Sequence, residues 1–441
     1  MPKRKTLAPN ARRQAAAAVN GVLDGASISA SVSSLRPLLS AADLRLFRQL
    51  TSGTVRWLSF LDAVIEQAAA RPMSKIDSGL RCHLRVAVYQ LLFLGRVPAR
   101  AAVFEAVEAA KQESGVSASR FVNGVLRAVA RHPERDRWQL ETDDPIADLA
   151  INQSHPEFLV RAWVKQFGWR ETEALLAVNN QPKGSLSVAS GRLEQLAEKL
   201  QAAGAEVEKS TVSPIGLLVS GVSAQDVVVA GGYVQDQASQ AAALVPLPRP
   251  GERVFDAAAS PGGKSLALTA FESEVKIVAA DRKLRRLQRL SINLGRNADI
   301  VLADALHPGM LDSAFDRVVF DAPCSGSGTL RKHPELKWRI SLSEIERLSE
   351  VQLAGLNSLA DLVAPGGRLC YITCSIEWQE NQQVIERFLA NKSGWELESL
   401  DQPQTLVTSM QRFVRAPGCW QILPANDHDG ATVHVLRRAS E

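Results

Sequence analysis

Residues 318–328 read VVFDAPCSGSG, an apolar run followed by an acid, a proline and a cysteine. A second apolar run, YITCS at residues 371–375, also leads into a cysteine. Short apolar runs of this kind predict buried strands, and in open α/β sheets ligands bind beyond the carboxyl ends of the strands. The pattern therefore predicts that Cys324 and Cys374 lie at one edge of a sheet, with Asp321 beside the first thiol. Two thiols and an acid at such an edge indicate covalent chemistry.

A regular alternation of strands and helices follows residue 233. Such alternation predicts a parallel sheet whose strands are joined by helical crossovers. Two more apolar runs, 420–423 and 432–436, are expected to pair antiparallel and complete the sheet, so residues 233–441 are predicted to form an α/β domain. The predicted strands are residues 253–256, 276–280, 300–303, 317–320 and 368–373, and the clearest predicted helices are residues 284–294 and 342–362.

The first third of the chain is helical and basic. Apolar residues repeat at helical spacing through residues 10–132, which predicts an all-α domain over residues 1–140. These 140 residues carry 21 Lys and Arg against 10 Asp and Glu, whereas the rest carries 30 against 37. The asymmetry favours a polyanion as partner, although solubility and helix-surface charge explain it equally well. Residues 141–232 are predicted to form a helical linker and a small α+β module.

The composition is that of an ordinary globular protein, with 46% hydrophobic and 22% charged residues. No apolar run approaches the roughly 18 to 20 residues that a membrane span needs, and the N-terminal stretch lacks the apolar segment of a secretory signal. Five cysteines, odd in number and widely spread, indicate reduced thiols in a cytoplasm. No Cys and His spacing typical of a metal site occurs, so no metal is expected.

The first predicted strand runs into the sequence FDAAASPGGKS, residues 255–265. Its small residues and the Gly262-Gly263 pair allow a ligand to approach the backbone at a helix N-terminus. The stretch falls one residue short of a P-loop because Ala258 stands where the first glycine belongs, so a nucleoside triphosphatase is the rival enzyme class. Acids follow four successive strands, a rim that suits S-adenosylmethionine better than a triphosphate. They are Asp256, Asp281, Asp304 and Asp321.

Several motifs together resemble the RsmB/NOP family of RNA cytosine C5 methyltransferases. They are DAPCSGSG, RKHPELKW at residues 331–338, YITCS followed by Glu380-Asn381, and the loop AASPGGK. The helical stretches LRVAVYQLLFLGRVPARAAVFEAVEAAK and FVNGVLRAVAR resemble the NusB-like RNA-binding domain, a combination found in the branch that acts on small-subunit ribosomal RNA. The resemblance implies an all-α NusB-like domain, a small α+β linker module and a Rossmann-like S-adenosylmethionine methyltransferase domain.

The same resemblance implies roles for individual residues. Cys374 would attack C6 of a cytosine, Cys324 would assist release of the adduct, and Asp321 would hydrogen-bond the base. The target in ribosomal RNA would be single-stranded or flipped out, because a base inside a duplex is unreachable. The protein is expected to act as a cytoplasmic monomer. The residues implied in cofactor binding are Ala258, Ala259, Ser260, Pro261, Gly262, Gly263, Lys264, Asp281, Asp304 and Asp321.

Two basic clusters are expected to contact RNA phosphates. One lies at the start of the predicted helix after Asp281, where a solvated helix face is an equally good explanation. The other follows Cys324. A non-catalytic RNA-binding assembly factor is the second alternative to a methyltransferase. The expected RNA contacts are Arg282, Lys283, Arg286, Arg331 and Lys337.

Overall fold

The computed structural model describes residues 10–182, 184–309, 315–400 and 405–440. These residues form two compact units. The first runs to Asn180 and also contains His333–Arg339, a segment from much later in the chain. The second contains Gln181–Lys332 and the residues from Ile340 onward.

The first unit consists, in its described part, of α-helices and short 3-10 helices. Polar side chains cap several of them: the Asn10 side chain accepts a hydrogen bond from the Arg12 N–H, which has no partner inside the helix. The last long helix of the basic region changes direction at Gly115, whose φ of +88° suits glycine. The α-helices are α1 (Ala11–Leu23), α2 (Ile28–Leu35), α3 (Ala41–Arg56), α4 (Leu58–Ala69), α5 (Ser78–Phe93), α6 (Ala99–Ala130), α7 (Pro145–Asn152), α8 (Glu157–Phe167) and α9 (Trp169–Asn179).

A small α+β module opens the second unit. Its elements are β1 (Leu186–Ala189), α10 (Leu193–Ala202), β2 (Glu206–Lys209), β3 (Gly216–Ser220), α11 (Ala224–Ala230) and β4 (Tyr233–Val234). The strands pair antiparallel in the order β2-β3-β1-β4. Leu196 and Leu200 lie one helical turn apart on α10 and are buried with Val188 and Leu217 of the sheet. This shared apolar core explains why one face of α10 lies on the strands.

A larger mixed sheet forms the centre of the second unit. Its strands are β5 (Arg253–Asp256), β6 (Lys276–Asp281), β7 (Asp299–Leu302), β8 (Phe315–Asp321), β9 (Val363–Thr373), β10 (Trp395–Leu397), β11 (Val414–Ala416), β12 (Cys419–Ile422) and β13 (Ala431–Arg438). The accompanying helices are α12 (Gln237–Ala243), α13 (Gly263–Phe271), α14 (Leu284–Leu294), α15 (Leu342–Ala360), α16 (Gln382–Asn391) and α17 (Thr408–Gln411).

The strand order places a ligand crevice at the middle of this sheet. The order is β11-β12-β13-β9-β8-β5-β6-β7, with β10 paired to β13. Strands β5 to β9 run parallel to one another, whereas β13 runs antiparallel to β9. The chain runs outward in one direction from β5 to β7 and in the other from β8 to β9. The order therefore reverses between β5 and β8, where ligands bind beyond the carboxyl ends.

The predicted elements of this domain agree closely with the structure. The first predicted strand and the helix predicted over 284–294 have the bounds of β5 and α14, and the antiparallel pairing predicted for the tail is confirmed by β12 and β13. Helices α7 to α9, predicted to belong to a linker, are grouped with the first unit. The domain limits 1–140, 141–232 and 233–441 otherwise stay predictions. In the described ranges, no helix combines the length and apolarity needed to cross a membrane.

Candidate active site

Two thiols meet beyond the carboxyl ends of β8 and β9. The Sγ atoms of Cys324 and Cys374 are 3.3 Å apart, and both residues are half-buried. The register of the two strands places Asp321 opposite Ile372, so the chain leaves both strands at neighbouring points. The hydrogen bond with Cys374, together with burial, raises the pKa of the Cys324 thiol well above its usual value. Cys324 is therefore protonated at neutral pH and can donate a hydrogen bond.

An ion pair lies at the same edge. The Nζ atom of Lys264 is 2.5 Å from Oδ2 of Asp321. Burial alone would lower the pKa of Lys264, but the charge and hydrogen bond of Asp321, with the charges of Asp256 and Cys374, raise it above its usual value. Lys264 therefore supplies a fixed positive charge near the Cys374 thiol.

The loop after β5 forms a cradle at the N-terminus of α13. Gly262 has a φ of +110°, a left-handed conformation that favours glycine. A Cβ on Gly263 would lie 2.9 Å from Nε2 of Gln235, so a side chain at this position would require the Gln235 amide to move. Below the loop, Asp256 is completely buried and its Oδ2 accepts a hydrogen bond from Ser265 Oγ at 2.7 Å. Burial raises the pKa of Asp256 to about 6.

Two more acids stand at the ends of the next strands. Asp281 ends β6, where its Oδ1 accepts the Lys283 N–H at 2.9 Å and its Oδ2 lies 3.6 Å from Arg286. Asp304 follows β7, and its Oδ1 accepts the Leu306 N–H at 3.0 Å. The four acids predicted for the rim therefore all lie at the carboxyl edge of the sheet.

A buried carboxylate lies next to the thiol loops, at a position of the YITCS…Glu380-Asn381 motif to which the sequence alone assigned no role. Glu380 ends the 3-10 helix Trp378–Glu380 and is completely buried. Its oxygens accept hydrogen bonds from Ser325 and Ser375, the residues that directly follow the two cysteines. The signal that could have identified Glu380 is a serine directly after each cysteine, with an acid five residues beyond the second serine.

The expected RNA contacts do not share one environment. Arg282, Lys283 and Arg286 are exposed at the start of α14, as an RNA contact requires. Arg331 is only 3% exposed, and its guanidinium donates to the backbone oxygen of Asn426. This burial corrects the expectation that Arg331 is available for a phosphate.

Lys337 requires the same correction. It lies in the first unit, is completely buried, and donates from Nζ to Arg56 O at 3.2 Å, Ser154 O at 3.1 Å and Asn180 Oδ1 at 2.7 Å. Burial, with the charge of Arg56, lowers the pKa of Lys337 well below its usual value. Its amino group therefore satisfies buried oxygens of the protein and does not reach a phosphate.

Comparison with known proteins decides the family. "Probable ribosomal RNA small subunit methyltransferase B" of Synechocystis sp. is 34% identical over 420 residues, 91% of this chain and 92% of the relative. "Ribosomal RNA small subunit methyltransferase B" of Pasteurella multocida is 33% identical and covers 99% of this chain and 98% of the relative. The chain belongs to the RsmB family of ribosomal RNA small subunit methyltransferases.

Family descriptions match this RsmB-family chain in three successive parts. The NusB family matches residues 9–131, the ferredoxin-like domain of RsmF/B-like methyltransferases matches residues 155–225, and 16S rRNA methyltransferase RsmB/F matches residues 243–436. The crystal structure of PH0851 resembles the chain with a TM-score of 0.77 and 26% identity, over 99% of this chain and 100% of that one. The predicted NusB-like domain, small α+β module and Rossmann-like methyltransferase domain are confirmed.

As a member of the RsmB family, the protein is an S-adenosylmethionine-dependent ribosomal RNA methyltransferase. This assignment favours the methyltransferase prediction over the triphosphatase and the non-catalytic factor. The residues present fit the cofactor, since the loop after β5 enters α13 through Gly262 at its N-terminus and Asp281 offers a carboxylate where a ribose diol is held. When bound, S-adenosylmethionine supplies an electrophilic methyl group.

Proposed function

We propose that this RsmB-family protein methylates C5 of a cytosine in 16S ribosomal RNA through a bond between Cys374 and C6 of the base. The separation of 3.3 Å between the sulfur atoms of Cys374 and Cys324 carries the proposal. Cytosine C5 is too electron-poor to accept a methyl group directly, so a nucleophile must first add to C6. A thiolate is the strongest nucleophile that the edge of the sheet offers.

The first step belongs to Cys374 and Asp321. The thiolate of Cys374 forms a bond to C6, and the electron pair of the C5–C6 double bond moves through C4 toward N3, which takes up a proton from solvent. The carboxylate of Asp321 accepts a hydrogen bond from that N3–H. Its pairing with Lys264 at 2.5 Å holds the carboxylate in one orientation for this role. C5 of the adduct is then nucleophilic enough to be methylated.

The second step belongs to Cys324. Loss of the C5 proton to a water molecule restores the C5–C6 double bond, the electron pair of the C6–S bond returns to the sulfur of Cys374, and N3 gives its proton back to solvent. The Cys324 thiol is protonated and lies 3.3 Å from that sulfur, so its S–H stabilises the departing thiolate. The raised pKa of Cys324 therefore suits a hydrogen-bond donor to the leaving group.

The proposed substrate is a cytosine outside a duplex. The reaction needs access to C6 from one face of the ring and to C5 from the cofactor side, and neither is open in stacked RNA. We therefore propose that the target is single-stranded or flipped out, and that the protein acts on it as a monomer in the cytoplasm.

The test uses unmodified 16S ribosomal RNA and S-adenosylmethionine with a tritiated methyl group. We expect 5-methylcytosine as the product of the wild-type protein, and a covalent protein–RNA species that survives denaturation for Cys324→Ala. The double variant Cys324→Ala with Cys374→Ala is expected to lose the covalent species, because the attacking sulfur is absent. Methylation at a nitrogen or a ribose, or an unchanged reaction in Cys374→Ala, would refute the proposal.

A further inference from the structure

One carboxylate links the two loops that carry the thiols. The Oε1 atom of Glu380 accepts the backbone N–H of Ser325 at 2.8 Å and Nε2 of Gln352 at 3.1 Å. The Oε2 atom accepts Ser325 Oγ at 2.5 Å and Ser375 Oγ at 2.6 Å. Ser325 follows Cys324 and Ser375 follows Cys374, so a single buried side chain is bonded to the residue after each thiol.

We infer that Glu380 is a positioning residue that fixes the distance between the Cys324 and Cys374 sulfur atoms. The inference rests on the proposed function, because the distance matters only if both thiols act on one base. Glu380 does not touch the base and acts only through the two serines.

The burial of Glu380 supports a positioning role. Its side chain is completely buried, and the four donors that its oxygens accept are neutral groups. Burying a carboxylate without a cation among its donors is costly, so several hydrogen bonds are needed to keep it there. Bonds to an ionised acceptor are shorter and stronger than bonds between neutral groups. Such bonds restrain both loops more tightly than a neutral side chain would.

The next residue, Asn381, shows what a one-loop contact looks like. Its Oδ1 accepts Thr373 Oγ1 at 2.7 Å, and its Nδ2 donates to Ser375 O at 3.1 Å. Both partners flank Cys374, so these bonds shape the Cys374 loop alone. Glu380 is bonded to both loops, and its loss therefore changes the position of each thiol relative to the other.

The geometry predicts which step depends on Glu380. Attack on C6 needs only Cys374, whereas breaking the C6–S bond needs the Cys324 S–H beside the same sulfur. A misplacement of about 1 Å costs on the order of 100-fold in rate. Release should therefore slow more than attack when Glu380 is removed, and the covalent species should accumulate.

The experiment compares Glu380→Ala and Glu380→Gln with Glu252→Gln. Glu252 is another buried carboxylate of the second unit, but it pairs with Arg317 at the amino ends of the strands. We expect turnover of Glu380→Ala on 16S ribosomal RNA to fall about 100-fold per folded molecule, with a covalent protein–RNA fraction as in Cys324→Ala. Glu380→Gln keeps an oxygen that can accept the Ser325 N–H, so its turnover should be about tenfold higher than that of Glu380→Ala. Glu252→Gln should change stability without trapping RNA.

A second variant covers the case in which Glu380→Ala does not fold. Ser325→Ala removes the hydroxyl that donates to Glu380 Oε2 and that lies 3.3 Å from Ser375 Oγ, and it should also accumulate the covalent species. Combined with Glu380→Gln, its effect on turnover should be less than additive, because both changes break the same link.

The inference is overturned if Glu380→Ala and Ser325→Ala turn over within about twofold of wild type, or lose attack and release in equal proportion as a destabilised protein would. Affinity for S-adenosylmethionine, measured by calorimetry, should stay within about twofold, since the carboxylate contacts no part of the cradle. If wild type forms no 5-methylcytosine and Cys324→Ala traps no RNA, the proposed function fails. That outcome is distinct from a failure confined to the Glu380 variants.

Discussion

Strands β8 and β9 carry charged or ionisable groups at both ends, but the two ends use them differently. Toward the amino end, Arg317 and Arg368 face each other in register, and both lie near Glu252, at 3.1 Å and 3.8 Å. All three side chains are buried, and Arg368 also pairs with Glu398 at 2.5 Å. Toward the carboxyl end, Cys324 and Cys374 are only half-buried.

The difference shows that burial of ionisable groups does not by itself identify a site. At the amino end the charges neutralise one another, and their effect is on the stability of the sheet. At the carboxyl end the thiols and the Lys264–Asp321 pair lie where the strand order reverses, next to the cofactor cradle. We infer a chemical role from that location together with partial exposure. The buried ion pairs at the amino end have neither feature.

The largest expected effect compares a cysteine within β9 with the cysteine directly after that strand. Cys374→Ala should lower methyl transfer by about 10⁴-fold or more, because the attacking group is lost. Cys370 lies four residues earlier, is buried mid-strand, and has a pKa raised by burial to about 11. Cys370→Ala should cost roughly 1 kcal/mol of unfolding free energy and leave turnover per folded molecule within about twofold. Comparable losses in the two variants would contradict the contrast.

Loss of the buried Arg317 charge at the amino end of the strands should lower stability and leave the chemistry unchanged. Arg317→Met removes the ion pair between Arg317 and Glu252. It also removes the hydrogen bonds that the guanidinium donates to the carbonyl oxygens of Pro246 and Leu247. We expect the free energy of unfolding to fall by about 3 to 5 kcal/mol, measured by urea denaturation at pH 7. Turnover of the folded fraction should remain within about threefold of wild type. A loss of chemistry that exceeds the loss of folded protein would break the comparison.

His434, opposite Tyr371 on the strand next to β9, tests a buried group without an ion pair. Burial lowers the pKa of His434 to about 4. Because the unfolded residue titrates near 6.5, the unfolded chain takes up a proton between pH 6.5 and 4 that the folded chain does not, so stability falls as pH falls through this range.

The matching variant is His434→Phe, which cannot be protonated. We expect wild type to lose about 2 to 3 kcal/mol relative to it between pH 7 and pH 4.5, measured as the difference in unfolding free energy. At pH 7 the two proteins should differ little, since Nδ1 of His434 has no hydrogen-bond partner among the described residues. Parallel pH profiles for the two proteins would contradict the burial effect.

The sequence predicted the sheet and the position of its site more reliably than it predicted whether individual basic residues are buried or exposed. Apolar runs ending in Asp321 or leading into Cys374 carry a local signal for a strand end, so the edge of the sheet could be located. Arg331 and Lys337 follow Cys324 and look like phosphate contacts. Their burial depends on partners such as Ser154, far away in the chain, which no local pattern reveals.

The residue Glu380 was part of a recognised motif, but its role was missed for a related reason. Its neighbour Ser375 is close in sequence, but its link to Ser325 spans 55 residues and exists only because β8 and β9 are adjacent. Sequence motifs list such residues side by side without indicating which atoms meet. The thiols could be assigned from their position at strand ends, whereas a carboxylate that bridges two loops required the tertiary structure.

The smallest expected effect concerns the exposed one of the two predicted basic clusters, at the start of α14. Arg282 is 58% exposed, and its nearest acidic oxygen, on Asp304, is 4.0 Å away, so the guanidinium can reach a phosphate at little cost. Arg282→Ala should weaken RNA binding by severalfold and reduce the slope of log K against log salt by about 1. Arg347→Ala is the matched control, because Arg347 is equally exposed at 60% but is paired with Glu344 on α15. Equal changes in salt slope for both variants would show that net charge, and not the start of α14, attracts the RNA.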